Sequence, residues 1–530
     1  MSIRVTAPLF AVLTACTLFA QTSAVYYPGE TWRAATPESQ GLDSRALASA
    51  ISQIRKKQLG VHSLLVIRHG YAVASADFYP YVSTTPHDLA SVTKTMTSTL
   101  TGVAVGNGTL KLDQTVLSFF PKEAPPNADE KKRAITVRDL LHMESGLDCG
   151  YLAGEQELEG MKRSPNWVQF ALALPMKYEP GTHSSYCSPG YHLLGSVIGA
   201  AARMTEIEFA NKYLFGPLNI RDVQWAVDPQ GRNHGWGDSH LYPRDVAKIG
   251  YLYLHGGEWN GKQIVSRDWV AASITPPHGG RGESGGLGIE WNATNGANGL
   301  QYGGNGRGGQ ILWVWPDLDM IVVSNAGGNG GQLAPLIRAA VKGDQALSAN
   351  AEGVAELRKS ETEAAKAPAP VPPPALPAIV KIISGETFAF PVNSSRLDSL
   401  RLVFDQSANG SWVDVKYYGE PLHIRLSLDG VYHPGPWGPL GLPAAATGKW
   451  TSENEFLLDL NFIANINHYT LAIRFVNPAP DTGDVAGQES ASVVKPTIEA
   501  TVNEASGLMR NGQLTGTFTT PEGTFLGKKN

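Results

Sequence analysis

The run Ala367–Pro377, "APAPVPPPALP", places prolines at 368, 370, 372, 373, 374 and 377. Each proline fixes its own φ and lacks a backbone donor, so no helix interior or central strand can pass through such a run. The chain cannot carry one continuous core across it. An extended polyproline spacer is expected instead. The preceding "SANAEGVAELRKSETEAAK" is polar and rich in Ala and Glu, and extends the spacer as a frayed helix. This predicts an Ala/Pro-rich linker over residues 346–378, with folded units at 25–345 and 379–530.

After the linker the hydrophobic period is two. In "LHIRLSLD", Leu422, Ile424, Leu426 and Leu428 alternate with His423, Arg425, Ser427 and Asp429. "NEFLLDLNFI" repeats the pattern with Leu458, Leu460 and Phe462, and "HYTLAIRFV" with Tyr469, Leu471, Ile473 and Phe475. Half-buried antiparallel strands have this signature, and "RNGQ" at 510–513 is a hairpin turn. An all-β sandwich or barrel is expected. It shows no catalytic constellation and reads as a structural or ligand-presenting domain, with a cell-envelope ligand as one candidate partner.

Before the linker, helical and strand patterns mix. "LLVIRHGYAVASADF" reads as a hairpin about His69-Gly70, and "GQILWVWPDLDMIVVSNAGG" as a second pair of strands about a Pro/Asp turn. "LASVTKTMTSTLTGVAVGNG" and "HLLGSVIGAAARMTEIEFANKYLFGPL" between them read as helices. Strands at both ends with helices between predict one α/β unit, its sheet assembled from distant segments.

The first 24 residues place Arg4 ahead of a short apolar run and end in Thr22-Ser23-Ala24. That pattern is a secretory signal peptide, giving an exported protein, periplasmic or secreted. Leu13-Thr14-Ala15-Cys16 also resembles a lipoprotein box, so a lipid anchor at Cys16 is the alternative. Outside this segment only Cys149 and Cys187 remain. In an oxidising compartment they pair; otherwise they are two separate buried thiols. A net charge of -5 gives no basis for binding nucleic acid.

Three motif matches need their context. Gly304–Gly309, "GNGRGG", spells the dinucleotide-loop fingerprint, but two strands surround it rather than a strand and a helix, so no nucleotide cofactor is expected. Gly282–Gly286, "GESGG", matches a nucleophile elbow but sits in turn-rich "PPHGGRGESGGLG" and reads as a loop. The 13 histidines form no H-E-x-x-H or comparable pair, so no metal is expected. More informative is Ser91-Val92-Thr93-Lys94. At the start of a helix the lysine amine comes beside the serine hydroxyl, which needs a base to become a nucleophile. A second match, Ser492–Lys495, lies in the β-rich part and is set aside.

Five ordered segments raise the first match above chance: "ASVTKTMTSTLTGVAVGNGTLKLDQTVLSFFP", "ITVRDLLHMESGL", "YEPGTHSSYCSPGYHLLGSVI", "GDSHLYPRDVAKIGYLYLHGGEWNGKQIVS" and the Gly-rich strand. Over residues 35–345 they resemble the serine β-lactamase/penicillin-binding superfamily, in its class C-like branch with family VIII esterases and 6-aminohexanoate-dimer hydrolases. The resemblance implies a β-lactamase-like transpeptidase fold (α/β, α+β): an antiparallel sheet flanked by helices, plus a helical subdomain. It implies Ser91 as acylated nucleophile, Lys94 as its proton partner and Tyr186 of "YCS" as the proton shuttle. Ser188 then orients Lys94 or substrate, and Arg307 lends its N–H to an oxyanion hole next to Gly304 and Gly306. Those glycines would let a substrate main chain approach the strand. Tyr151 is a candidate substrate contact. The chain departs from the family at Gly304, where a Lys or His would face a substrate carboxylate. The expected activity is therefore hydrolysis of a small-molecule ester, amide or peptide through an acyl-serine. β-lactamase or D-Ala peptidase activity and an inactive penicillin-binding-like protein are the alternatives.

Overall fold

The computed structural model describes residues 25–126, 128–150, 156–275, 291–328, 333–390, 397–405, 410–476, 497–504, 509–510, 513–514 and 525–529. The signal segment with Cys16, Tyr151, Gly282–Gly286 and Ser492–Lys495 lie outside the described residues.

The N-terminal unit is built on six antiparallel strands: β1 (Val61–Arg68), β2 (Tyr71–Asp77), β3 (Thr294–Gly296), β4 (Gly299–Gly306), β5 (Gln310–Trp315) and β6 (Met320–Ala326). Their order is β2-β1-β6-β5-β4-β3. The first hairpin turns on His69 (φ 50°) and Gly70 (φ 72°), two left-handed residues whose twist matches the strands they join. Residues 310–315 and 320–326 pair antiparallel, Trp313 opposite Val322. β1 pairs with β6, Val66 opposite Val322. The sheet thus joins segments about 250 residues apart in sequence, as the α/β pattern predicted.

Both faces of the sheet are covered, so β1, β5 and β6 are apolar on both sides. Leu65, Ile67, Leu312, Val314, Ile321 and Val323 belong to the larger core. There they meet α2 (Thr93–Gly106), α3 (Ser188–Ala202) and α4 (Pro243–Leu254) of the helical layer. On the other face Leu64, Val66, Trp315 and Val322 pack with Leu47, Ile51 and Ile54 of α1 (Ser44–Lys56) and Ile337 of α5 (Leu333–Arg338). Asp43 caps α1 by accepting from the Arg45 and Ala46 amides at 2.9 and 3.3 Å, which satisfies two of the four orphan donors.

Residues 351–364, read above as a frayed part of the linker, form a docked helix, α6 (Ala351–Ala364). Leu357 and Ala364 are buried in the α1 core, and the Ser75 amide donates to Glu361 Oε1 at 3.0 Å. Two apolar positions about two helical turns apart are enough to anchor it where a neighbour is available. The extended stretch beyond it is tied to the next domain by the Val371 amide, which donates to Asp429 O at 2.9 Å.

The C-terminal strands are β7 (Thr387–Ala389), β8 (Leu397–Val403), β9 (Trp412–Tyr417), β10 (Glu420–Ser427), β11 (Ala445–Trp450), β12 (Glu455–Asn461), β13 (His468–Val476), β14 (Thr497–Glu504) and β15 (Phe525–Lys529). They curl into a barrel in which β15 pairs with both β14 and β7. All pairs are antiparallel except β10 with β11, which makes the sheet mixed. Tyr469, Leu471, Ile473 and Phe475 all point into the barrel core, as do Ile424, Leu426, Leu458 and Leu460. The alternation fails at Ser427 and Asp429, which are buried rather than exposed. Asp429 accepts from the Ser427 hydroxyl and from the Val431 amide, so its burial leaves a satisfied turn instead of an orphan charge.

The barrel rests on the N-terminal unit. Tyr81, Ala445 and Ile463 share a small apolar cluster, Tyr79 Oη donates to Tyr432 O at 3.1 Å, and the Asp88 amide donates to Ala464 O at 2.9 Å. The last of these contacts lies three residues from Ser91.

Candidate active site

Ser91 lies in a 3-10 turn, Ala90–Val92, that leads directly into α2. Ala90 adopts φ 44°, a left-handed conformation that L-residues avoid at a cost of about 1–3 kcal/mol. Asp88 holds it there by accepting from the Ala90 amide at 2.7 Å. The result is a bent approach that leaves Ser91 half-buried while Val92 and Lys94 are fully buried.

α2 buries five threonines, at 93, 95, 97, 99 and 101. Thr95, Thr99 and Thr101 return their hydroxyls to carbonyls of their own helix (2.6–2.8 Å), which removes the penalty of burying them. Lys94 Nζ donates to Ser91 Oγ at 3.0 Å and to Trp236 O at 2.8 Å. Tyr186 completes the cluster, its Oη 2.6 Å from Ser91 Oγ, with Lys94 Nζ 4.8 Å from its ring centroid. Three of the residues expected to carry chemistry are thus in direct contact.

Tyr186 precedes α3, whose N-cap is Cys187. Cys187 is bonded to Cys149 with a Cα separation of 5.3 Å, which pins the segment carrying the tyrosine to the 147–150 loop. Closing a loop with sequence separation 38 is worth about 4 kcal/mol of denatured-state entropy. Cys149→Ser is therefore expected to lower Tm by roughly 5–15 °C and to reduce turnover by loosening Tyr186. Melting curves with and without reductant check this: reductant should reproduce the shift in wild type and leave the variant unaffected.

The strand side differs from the sequence expectation in its reason. A Cβ at Gly304 would come within 3.0 Å of Val92 Cγ1 and Thr95 Cγ2, and one at Gly306 within 2.7 Å of Leu89 O. The glycines therefore allow the close approach of the protein's own Leu89–Thr95 segment. This packing sets the Arg307 backbone beside the turn that carries Ser91. Gly306→Ala is expected to push on Leu89 O and displace Ser91, lowering kcat about 10- to 100-fold with a smaller change in KM; steady-state kinetics of the folded variant check it. The fingerprint Gly304–Gly309 covers the end of β4 and the Arg307–Gly309 turn into β5, Gly306 opposite Gln310, so a strand rather than a helix follows it.

Ser188, expected to orient Lys94 or the substrate, makes no hydrogen bond to Lys94. Its Oγ is buried at the start of α3 and makes no hydrogen bond, and the lysine takes the Trp236 carbonyl instead. A backbone carbonyl has no sequence signature, which is why it was not foreseen.

A second group missed in the sequence surrounds the site. Lys162 Nζ lies 4.9 Å from the Trp236 ring and 5.7 Å from the ring of Tyr418 in the barrel. Burial works against the Lys162 charge, but Tyr418, Asp238 and Glu159 outweigh burial and the repulsion of Arg307, pushing the ammonium up to about 12. Burial would likewise raise the Asp238 carboxyl. The hydrogen bond and charge of His234, with the charges of Lys162 and His240, hold it well below the usual carboxylate range. His234 Nδ1 is 2.8 Å from Asp238 Oδ2. These groups converge only through tertiary structure, and the barrel supplies one of them.

A serine whose oxygen touches both a buried amine and a phenol, beside a backbone edge able to supply N–H donors, is equipped for acyl transfer. The Beta-lactamase family model matches residues 47–342, and the chain belongs to that family. It is 24% identical over 316 residues to a 6-aminohexanoate-dimer hydrolase of Paenarthrobacter ureafaciens, covering 54% of this chain and 79% of that protein. It is 30% identical over 188 residues to a lovastatin esterase of Penicillium rubens, covering 32% and 46% respectively. Among solved structures, a family VIII carboxylesterase is similar at 16% identity, covering 63% of this chain and 100% of that one with a TM-score of 0.44.

Proposed function

We propose that the protein is an exported serine hydrolase that cleaves a short ester or small amide through an acyl-Ser91 intermediate. The observation that carries this reading is the hydrogen-bonded set Lys94–Ser91–Tyr186, at 3.0 and 2.6 Å. Ser91 Oγ attacks the substrate carbonyl as its proton passes to Tyr186, which acts as a phenolate whose charge Lys94 supports before the transfer. The oxyanion is received by the backbone N–H groups of Ser91 and Arg307. Tyr186 returns the proton to the leaving alcohol or amine. A water then gives a proton to Tyr186 as its oxygen attacks the acyl carbon. Tyr186 passes that proton to Ser91 Oγ as the bond to the acyl group breaks, releasing the acid and free Ser91.

The lack of a Lys or His side chain at Gly304 favours neutral acyl groups over β-lactams and D-Ala peptides, whose carboxylates would pair with such a cation. A relative named for an esterase and another named for a dimer hydrolase support the ester-or-amide class. Export rests on the charged and apolar pattern of residues 1–24, with lipid attachment at Cys16 as the alternative; no described helix is long and apolar enough to cross a membrane.

A panel of short p-nitrophenyl esters, nitrocefin, D-Ala peptides and aminohexanoate oligomers tests the substrate class. Esters should give the highest kcat/KM. A higher value for nitrocefin or for D-Ala peptides would reject the argument from Gly304.

A further inference from the structure

Thr97, like Thr93, turns its hydroxyl away from the α2 backbone. Its Oγ1 lies 2.8 Å from Glu206 Oε1 and 2.8 Å from Gly235 O. A hydroxyl has one proton, and a carbonyl oxygen only accepts. If both contacts are hydrogen bonds, Thr97 gives its proton to Gly235 O and must receive one from Glu206. Only the neutral carboxylic acid can supply it.

The surroundings agree with a neutral acid. Glu206 is 2% exposed, and its second oxygen, Oε2, has no hydrogen-bond partner. Oε2 lies against α3 where Gly195 has no side chain, since a Cβ there would meet it at 2.3 Å. A carboxylate with one oxygen buried and unpaired carries a large desolvation cost, which protonation relieves. Gly235 is wedged against the same glycine, with its Cα 3.0 Å from the place of a Gly195 Cβ. The next residue is Trp236, whose carbonyl holds Lys94.

We propose that Glu206 is a positioning residue for the Ser91–Lys94 pair. As the neutral acid it donates to Thr97, Thr97 donates to Gly235 O, and this chain fixes the Trp236 carbonyl that holds the lysine amine. The inference rests on the serine-hydrolase reading of Ser91 and Lys94. Burial, opposed in part by the Thr97 hydrogen bond, pushes the Glu206 carboxyl up to about 8, so the chain breaks on the alkaline side of neutrality.

The charged groups nearby have other partners. On its own helix, Glu208 caps Thr205 in solvent. Arg232 is 2.5 Å from Glu123 and 3.9 Å from Asp228. His192 of α3 is 3.2 Å from Asp228, and His234, in the segment that carries Gly235, is 2.8 Å from Asp238. Lys122, Glu123, Arg232 and Glu206 share the lining of one cavity of about 470 Å³, through which Glu206 can exchange its proton.

Glu206→Gln keeps a donor toward Thr97 and removes the titration; Glu206→Ala removes both. The folded form holds this proton between pH 4.5 and about 8 while the unfolded chain does not. Stability therefore falls as pH rises through that window. Wild-type Tm should fall relative to E206Q across it, and a pH-independent difference would overturn the protonated Glu206. Wild-type kcat for a short ester should drop above pH ~8, a limb that E206Q lacks while keeping kcat within about threefold at pH 6.5. E206A should lose about tenfold in kcat with KM nearly constant. An alkaline limb retained in E206Q, or wild-type kcat in a folded E206A, would overturn the positioning role. If E206A does not fold, E206Q alone decides. If wild type turns over no ester, the hydrolase reading fails, while the melting comparison still decides the Glu206–Thr97 link.

Discussion

Ser91→Ala is expected to remove ester hydrolysis almost entirely, lowering kcat by about 10⁴-fold or more. The loss should reach the background set by binding and the oxyanion donors. Lys94 and Tyr186 meet at Ser91 Oγ, at 3.0 Å and 2.6 Å, and neither has that oxygen to activate once it is gone. Removal of Lys94 in the same chain should therefore add little, because residues that act as one unit are not additive. A double variant Ser91→Ala/Lys94→Ala with activity far below the single variant would show that Lys94 acts independently. Steady-state rates on a short p-nitrophenyl ester, with folding checked by circular dichroism, give the comparison.

Tyr186→Phe should be the next largest effect. It leaves the ring beside Lys94, 4.8 Å from Nζ to the centroid, and removes only the oxygen that touches Ser91. Positioned proton transfer contributes about 10²–10⁴-fold, and a fall of that size in kcat with KM within about threefold is expected. The loss should be greater for amides than for activated p-nitrophenyl esters, since p-nitrophenolate leaves without a proton and an amine does not. Equal losses on both would place Tyr186 in orientation rather than proton delivery.

The sequence made some parts of this molecule visible and hid others for physical reasons. His69-Gly70 and the alternation through Tyr469–Phe475 are local signals, and the hairpin and inward-facing strand they predicted are present. Ser91 and Lys94 were visible because three-residue spacing on a helix is itself a geometric statement. Tyr186 was placed by resemblance, and its meeting with Ser91 depends on α3 packing against α2. The docking of α6 was not visible, since Leu357 finds its pocket only when α1 and the sheet are assembled. Nor was the role of Trp236, which acts through its carbonyl. Glu206 stood in a polar-looking "MTEIEF", where nothing local indicates that one glutamate is buried and its neighbour Glu208 exposed. The missing cation at Gly304 is legible in the sequence, whereas its close packing on Val92 and Thr95 is seen only in the fold.

The central claim is that Ser91 becomes acylated. The most direct measurement is intact-protein and peptide mass spectrometry after reaction with a fluorophosphonate. The account predicts a single adduct on the peptide containing Ser91, absent in Ser91→Ala and formed much more slowly in Tyr186→Phe. A folded wild-type protein that carries no adduct at Ser91, or carries it on another serine, would contradict it.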